Sequence, residues 1–209
     1  MKLSLLAAAS AALLIGTAPA HAALVGSPAA LAGPTSVIDF EDFDGLLTMG
    51  PLPLTPAVTF TGDAGSEIGA FERDLGTNGL WGVGNRFAAG GFVGELRFTF
   101  AGVSSGAGAF VSHYADSVLP FSIVVSAYGL NNQIIESYTV PVTTSITGYN
   151  EGVFLGITRA TADISSISFK GVVPVVDNLT FTTPVPEPGA YAMLLAGLAL
   201  VGSIARRRR

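Results

Sequence analysis

The sequence predicts an all-β protein, an antiparallel β-sandwich with jelly-roll-like connections and about nine strands. Turn-forming residues are frequent, with 26 glycines and 12 prolines among the 209 residues. Short runs of β-branched and aromatic residues lie between these turns, as expected for strands that bury one face. The region 23–184 shows no amphipathic helical periodicity of useful length.

Nine segments of the central region have this strand pattern. In one of them Leu96, Phe98 and Phe100 alternate with polar residues, which predicts a strand with one face in the core. The sandwich domain is therefore placed at 36–183, after a flexible lead at 23–35. The predicted strands are 36–43, 57–61, 92–101, 107–114, 121–128, 134–142, 152–157, 164–169 and 175–182.

The first 22 residues have the three parts of a secretory signal peptide. A positively charged start precedes an apolar run at 3–15, which is too short to cross a bilayer comfortably. Ala20 and Ala22 then form a small-x-small cleavage site for signal peptidase, which makes Ala23 the first residue of the mature chain. An uncleaved membrane anchor is the alternative.

The C-terminal residues carry a different membrane signal. The tripeptide Pro186-Glu187-Pro188 precedes an uncharged segment, 189–205, which as a helix rises about 25 Å and nearly matches a hydrocarbon core of about 30 Å. The chain closes with Arg206, Arg207, Arg208 and Arg209. Their charge keeps this end in the cytoplasm, so that a helix here would cross the inner membrane and hold the domain outside. A permanent anchor is one interpretation.

This order of tripeptide, apolar helix and arginine cluster resembles the PEP-CTERM sorting signal of Gram-negative bacteria. The resemblance covers residues 184–209 and implies that an exosortase, a membrane-embedded cysteine protease, recognises Pro186, Glu187 and Pro188 and cuts near them. It also implies sorting in organisms that make exopolysaccharide and biofilm. The prolines fit this role, because they keep Glu187 out of a helix and extended at the membrane surface.

Composition excludes several other functions. Between Ala23 and Pro184 there are 14 acidic residues against five basic ones, so that the body carries a net charge of −9. Nucleic acid is not an expected partner, because phosphate binding needs a basic face. The chain has no cysteine, which excludes disulfides, thiolate metal sites and a cysteine nucleophile.

The two ends of the domain are expected to lie together. The first strand contains Phe40-Glu41 and the last contains Asp177-Asn178-Leu179. This arrangement resembles that of many exported bacterial sandwich domains, among them carbohydrate-binding jelly rolls. In such folds the terminal strands are often neighbours, which would bring Glu41 towards Asp177.

Hard oxygen donors near these ends suggest a structural Ca²⁺ site, since Ca²⁺ takes about six to eight oxygen ligands. The candidate ligands are Glu41, Asp42, Asp44 and Asp177. The alternative is that these acids end strands and cap turns. No other cofactor is expected.

A carbohydrate site is suggested by Trp81, which lies in a glycine-rich segment with Asn85 and Arg86. A tryptophan ring can stack on a sugar ring, while amide and guanidinium groups bind its hydroxyls. The alternative is that Trp81 fills one end of the core, as a lone tryptophan usually does.

Catalytic patterns are weak. A Ser-His-Asp triad would need His113, but Ser112 directly precedes it, and neighbours in a strand point to opposite faces. Carboxylate pairs such as Glu95 and Glu136 could hydrolyse glycosides, yet 14 acids produce such pairs by chance. The sequence therefore predicts a non-enzymatic exported protein of the cell surface or exopolysaccharide matrix, and a carbohydrate-binding module is the alternative.

Overall fold

A computed structural model of the chain describes residues 22–71, 85–113, 121–144 and 152–183. Apart from one 3₁₀ turn, Pro28–Ala30, the regular structure of these residues consists of fourteen strands, paired antiparallel. The strands are β1 (Ala23–Val25), β2 (Thr35–Ile38), β3 (Leu46–Leu47), β4 (Leu52–Thr55), β5 (Val58–Thr61), β6 (Glu67–Ala70), β7 (Phe87–Ala89), β8 (Gly94–Ser104), β9 (Gly106–Ser112), β10 (Phe121–Tyr128), β11 (Ile134–Val142), β12 (Val153–Thr158), β13 (Ile164–Gly171) and β14 (Val175–Thr182). The predicted all-β, antiparallel class is confirmed.

The strands form two sheets that enclose one main core. The eight-stranded sheet has the order β1-β12-β9-β14-β7-β6-β3, with β2 also beside β14, and the six-stranded sheet has the order β11-β10-β13-β8-β5-β4. Phe98 of the six-stranded sheet contacts the rings of Phe40 and Phe169, with centroids 5.9 and 6.4 Å apart. Phe100 stacks on Phe181 of the other sheet at 4.9 Å. These rings join the two layers by burying large apolar areas.

The strand number is the main correction, because the described residues contain fourteen strands and not about nine. All nine predicted segments contain a strand. The five additional strands, β1, β3, β4, β6 and β7, have two to four residues each. Residues such as Pro53, Gly69 and Ala88 favour strands weakly, so that pairing with longer neighbours decides their conformation. The jelly-roll-like connectivity stays a prediction.

The predicted first strand ends at Ile38, well before residue 43. Phe40 lies in the left-handed region, with a φ of 61°, and this conformation interrupts an extended strand. The Phe40 side chain is nevertheless buried, with 1 % of its surface exposed. The turn therefore keeps the ring in the core while the following acids reach the surface.

The terminal regions are described only in part. Residues 23–35, expected as a flexible lead, hold β1 and the 3₁₀ turn, and β1 pairs with β12. Among the described residues, no helix is long and apolar enough to cross a membrane. The predicted signal peptide, except for Ala22, and the predicted helix at 189–205 lie outside the described residues.

Candidate functional site

The first and last strands of the sandwich domain are neighbours, as the sequence predicts. β2 pairs with residues 179–182 of β14, whereas β7 pairs with Val175 and Val176. The change of partner falls at Asp177 and Asn178, where the register between β14 and β9 also shifts. Asn178 has a φ of 51°. Because the ladder is interrupted here, backbone groups need side-chain partners.

Asp177 supplies such a partner and is almost fully buried, with 1 % of its surface exposed. Its Oδ1 accepts a hydrogen bond of 2.6 Å from the backbone N of Asn178. Its Oδ2 accepts from the side-chain amides of Asn85 and Asn178, both at 3.0 Å. Burial raises the pKa of the Asp177 carboxyl to about 6, although these donors lower it, and the charges of Glu41 and Asp39 raise it further.

Arg86 binds the neighbouring acidic residues. Its backbone N donates to Oε1 of Glu41 at 2.8 Å, and its guanidinium forms an ion pair of 2.7 Å with Asp44. The guanidinium also donates to the carbonyl oxygen of Gly69 at 3.1 Å and lies 4.6 Å from the centre of the Phe71 ring. Arg86 therefore ties the segment after β2 to β6 and to the start of β7.

The predicted calcium ligands have other partners in this arrangement. Glu41 and Asp44 contact Arg86, Asp177 is held by two asparagines, and Asp42 is exposed. Within the described parts of the chain, no three His, Cys, Asp or Glu side chains are grouped to hold a metal ion. A calcium site at these residues stays a prediction that this geometry does not support.

The predicted carbohydrate-binding residues are divided between described and undescribed parts of the chain. Asn85 donates to Asp177, and the guanidinium of Arg86 contacts Asp44 and Gly69. Both side chains therefore have structural partners. Trp81 lies outside the described residues, and a sugar-binding role for the three together stays a prediction.

A second polar region lies on the outer face of the six-stranded sheet, and the sequence did not reveal it as a site. One row of facing residues runs across five neighbouring strands: Thr61, Arg97, Ser168, Ser126 and Ser137. The polar positions of β8 were predicted to face outward, and the burial of the intervening Leu96 and Phe98 confirms this. Ser168 and Ser126 of this row are buried, and Thr61 and Arg97 are its members that line open space above the sheet.

Arg97 is held over this face by uncharged partners. Its guanidinium carbon lies 3.8 Å from the centre of the Tyr128 ring. Nε and Nη2 donate to Oγ of Ser166 at 3.0 and 2.7 Å, and Nη2 also donates to Oδ1 of Asn132. The Tyr128 hydroxyl in turn donates to Glu95 at 3.1 Å. Among the described residues, no carboxylate forms an ion pair with Arg97.

Two open cavities adjoin Arg97, and Thr61 lines both. A cavity of about 460 Å³ extends past Leu130, and one of about 310 Å³ extends past Asp63 and Glu95. These volumes lie at the lower end of the range of small-molecule sites. We call the two cavities together the Arg97 groove. Only the register between strands places its residues side by side, so the linear pattern contained no signal for it.

His113 has a structural environment. It is 3 % exposed, its Nε2 donates to the carbonyl oxygen of Val142 at 2.5 Å, and its ring contacts Phe121 edge-on at 5.4 Å. The carboxylate pair Glu95 and Glu136 lies on β8 and β11, which are three strand spacings apart in the sheet. Three spacings are about 14 Å, farther than the roughly 5–10 Å between paired glycosidase carboxylates.

The predicted sorting-signal residues lie outside the described part of the chain: Pro186, Glu187, Pro188, Arg206, Arg207, Arg208 and Arg209. Comparison with known protein families matches residues 184–209 to the PEP-CTERM protein-sorting motif, which confirms the resemblance. A motif of this kind implies an exported protein that an exosortase processes. Comparison with curated proteins and with solved structures gives no match.

Proposed function

We propose that this protein is a non-enzymatic component of the cell surface or of the exopolysaccharide matrix, made as a membrane-tethered precursor. Signal peptidase removes residues 1–22, and the predicted helix at 189–205 holds the precursor in the inner membrane with the arginine tail in the cytoplasm. An exosortase then cuts near Pro186-Glu187-Pro188 and releases or transfers the folded body.

The observation that carries this proposal is the position of the sorting motif directly after the last strand. β14 ends at Thr182, and the backbone N of Thr183 donates to the carbonyl oxygen of Pro34 at 2.9 Å. Three residues of chain from Thr183 to Pro186 span at most about 11 Å. The tripeptide therefore follows a folded domain almost immediately, as expected if the domain is the cargo.

A non-enzymatic role is supported by the contacts of the titratable groups in the core and at the terminal strands. The carboxyl of Asp177 and the ring of His113 are buried and bonded to neighbouring groups. Glu136 pairs with Arg159 at 3.7 Å, and Arg159 also binds Asp163 at 2.6 Å. These interactions stabilise the sandwich and do not require a substrate.

The test is the intact mass of the mature protein purified from its native host. A chain beginning at Ala23 and ending near Pro188, with any mass added at the new carboxyl end, is expected. In a Glu187→Gln variant the uncut precursor should accumulate. Asp42→Asn, which removes one exposed negative charge from the body, is the matched control and should be processed normally.

An unmodified mass for residues 23–209 in the mature protein would refute processing at the tail. Equal processing of Glu187→Gln and Asp42→Asn would show that the tripeptide does not direct the cut. The arginine tail is tested separately, because replacing it with glutamines should disturb topology and not recognition of the tripeptide.

Carbohydrate binding is a second candidate function, and the Arg97 groove favours it. The hypothesis drawn from the sequence uses Trp81 as a stacking platform, with Asn85 and Arg86 beside it. A structural calcium belongs to the same hypothesis and is tested by melting the protein with and without EDTA. An unchanged midpoint would count against it, since a metal that binds only the folded state raises the midpoint.

A further inference from the structure

We propose that the Arg97 groove binds an uncharged polysaccharide chain that lies across the outer face of the six-stranded sheet. This inference goes beyond delivery to the surface. It rests on the second candidate function and gives it a site, separate from Trp81, Asn85 and Arg86. It does not depend on processing by an exosortase.

Arg97 supplies hydrogen-bond donors that are already fixed in position. Its guanidinium stacks on Tyr128 and donates to Ser166 and Asn132. Because the side chain is ordered before a ligand arrives, binding costs little further conformational entropy. Nη1 has no acceptor among the residues that the structure describes, which leaves its hydrogens for a sugar oxygen.

Glu95 and Asp63 supply acceptors on the other side of Arg97. Sugar hydroxyls both donate and accept, so that two neighbouring hydroxyls can bridge a carboxylate and a guanidinium. An acidic polysaccharide would instead meet two carboxylates in the groove and a body of net charge −9. The mixture of donor and acceptor groups therefore favours an uncharged glycan.

The shape of the groove suits a polymer. Its two cavities share Thr61 and Arg97 and are open to solvent. An open groove admits a chain whose ends extend beyond it, whereas a small ligand needs a pocket that encloses most of its surface. Leu130, which is 78 % exposed and lines the larger cavity, presents an apolar surface to the C–H face of a sugar ring.

The experiment is affinity electrophoresis of the full chain in mild detergent, through gels that contain dextran, laminarin, galactomannan or alginate. At least one of the three neutral polymers should retard the protein. Arg97→Gln should weaken this association at least about tenfold, as expected for the loss of charge-assisted hydrogen bonds. Asp42→Asn is the control, because Asp42 is exposed, follows β2 of the eight-stranded sheet and lies outside the groove lining.

Asp42→Asn should keep its affinity within about twofold. Leu130→Asp is a second groove variant that is expected to fold normally, because its side chain is exposed, and it should also weaken binding. The proposal is overturned if no neutral polymer retards the protein, if alginate alone does so, or if both groove variants bind like the unchanged chain. Glu187→Gln should bind normally, so that failure of this proposal is distinct from failure of tail processing.

Discussion

The hydroxyl oxygen of Thr182 lies 2.8 Å from that of Ser104, in a buried network at the end of β14. Oγ1 of Thr182 also accepts from the backbone N of Ser105 at 2.9 Å and of Gly106 at 3.1 Å. The Ser104 hydroxyl lies within bonding distance of the carbonyl oxygens of Gly106 and Thr182, at 2.7 and 3.0 Å. One side chain therefore attaches the last strand to the turn between β8 and β9.

Thr182→Val should destabilise the fold by about 1–3 kcal/mol, because it keeps the side-chain shape but removes the acceptor of the Ser105 amide, one of two acceptors of the Gly106 amide, and the partner of the buried Ser104 hydroxyl. Chemical denaturation of the purified protein measures this. Thr183→Val is the control, since within the described parts of the chain the Thr183 hydroxyl makes a single, exposed contact, of 3.4 Å with the carbonyl oxygen of Pro34. The control should change stability by less than about 0.5 kcal/mol. Similar losses in both variants would contradict the role of the network.

Asp177 should make stability depend on pH. Its folded pKa is raised from 3.8 to about 6, so the native state binds a proton more tightly than the unfolded chain does. The resulting stabilisation is complete below about pH 4 and is lost as the pH rises through 6; its size is on the order of 3 kcal/mol.

This pH dependence is measured as the difference in unfolding free energy between the unchanged protein and Asp177→Asn, from pH 4 to 7.5. As the pH rises, the unchanged protein should lose unfolding free energy relative to Asp177→Asn, because the asparagine does not titrate. Asp42→Asn, which removes an exposed carboxyl, is the matched control for the change of charge. Parallel curves for the unchanged protein and Asp177→Asn would contradict the burial of a titrating carboxyl.

Gly69→Ala should lower the free energy of unfolding by about 1–3 kcal/mol or more. Gly69 has a φ of 77°, and an added Cβ would lie 2.4 Å from the backbone carbonyl carbon of Phe43. Gly102→Ala is the matched strand control, because a Cβ at Gly102 meets nothing within 4 Å. Thermal melting of the two variants should separate them by several degrees. Equal midpoints would show that β6 relaxes easily.

Arg86 and Asp44 form an ion pair, and the two residues should contribute unequally to the free energy of unfolding. The Asp44 side chain is 84 % exposed, and Asp44→Ala should cost less than about 0.5 kcal/mol. Arg86 is 24 % exposed and also contacts Gly69 and Phe71, so Arg86→Ala should cost about 1–2 kcal/mol. Denaturation in low and high salt checks this, because only the ion-pair part is screened. Equal losses of unfolding free energy in Arg86→Ala and Asp44→Ala would contradict this prediction.

Much of the fold follows from local pattern, and the rest depends on contacts between distant residues. The alternation around Phe98 correctly predicts a strand and its buried face. Strands as short as β3 have too few residues for a pattern, and the residue type of Phe40 gives no signal of its positive φ. The short strands and this backbone conformation both depend on contacts with neighbouring strands.

The candidate sites divide in the same way. The resemblance of the terminal strands correctly predicts that the first strand lies beside the last, and Glu41 is close enough to raise the pKa of Asp177. The position of Arg86 among these acids was not predicted, because it depends on the path between β6 and β7. The row through Arg97 depends on the register of five strands, which no single segment encodes.

The anchored end of β14 also determines how the processed body would stand on whatever receives its carboxyl end. Five residues from Thr183 to Pro188 reach at most about 18 Å, less than the roughly 25 Å length of an eight-residue strand. If the new carboxyl end is attached to a support, so short a linker would restrict rotation of the body, and the end near Ser104 would face the support. The opposite end carries Phe92 and Val93, which are 76 % and 65 % exposed beside the start of β14. A layer of bodies attached in this way would expose the apolar residues Phe92 and Val93 on its outer surface.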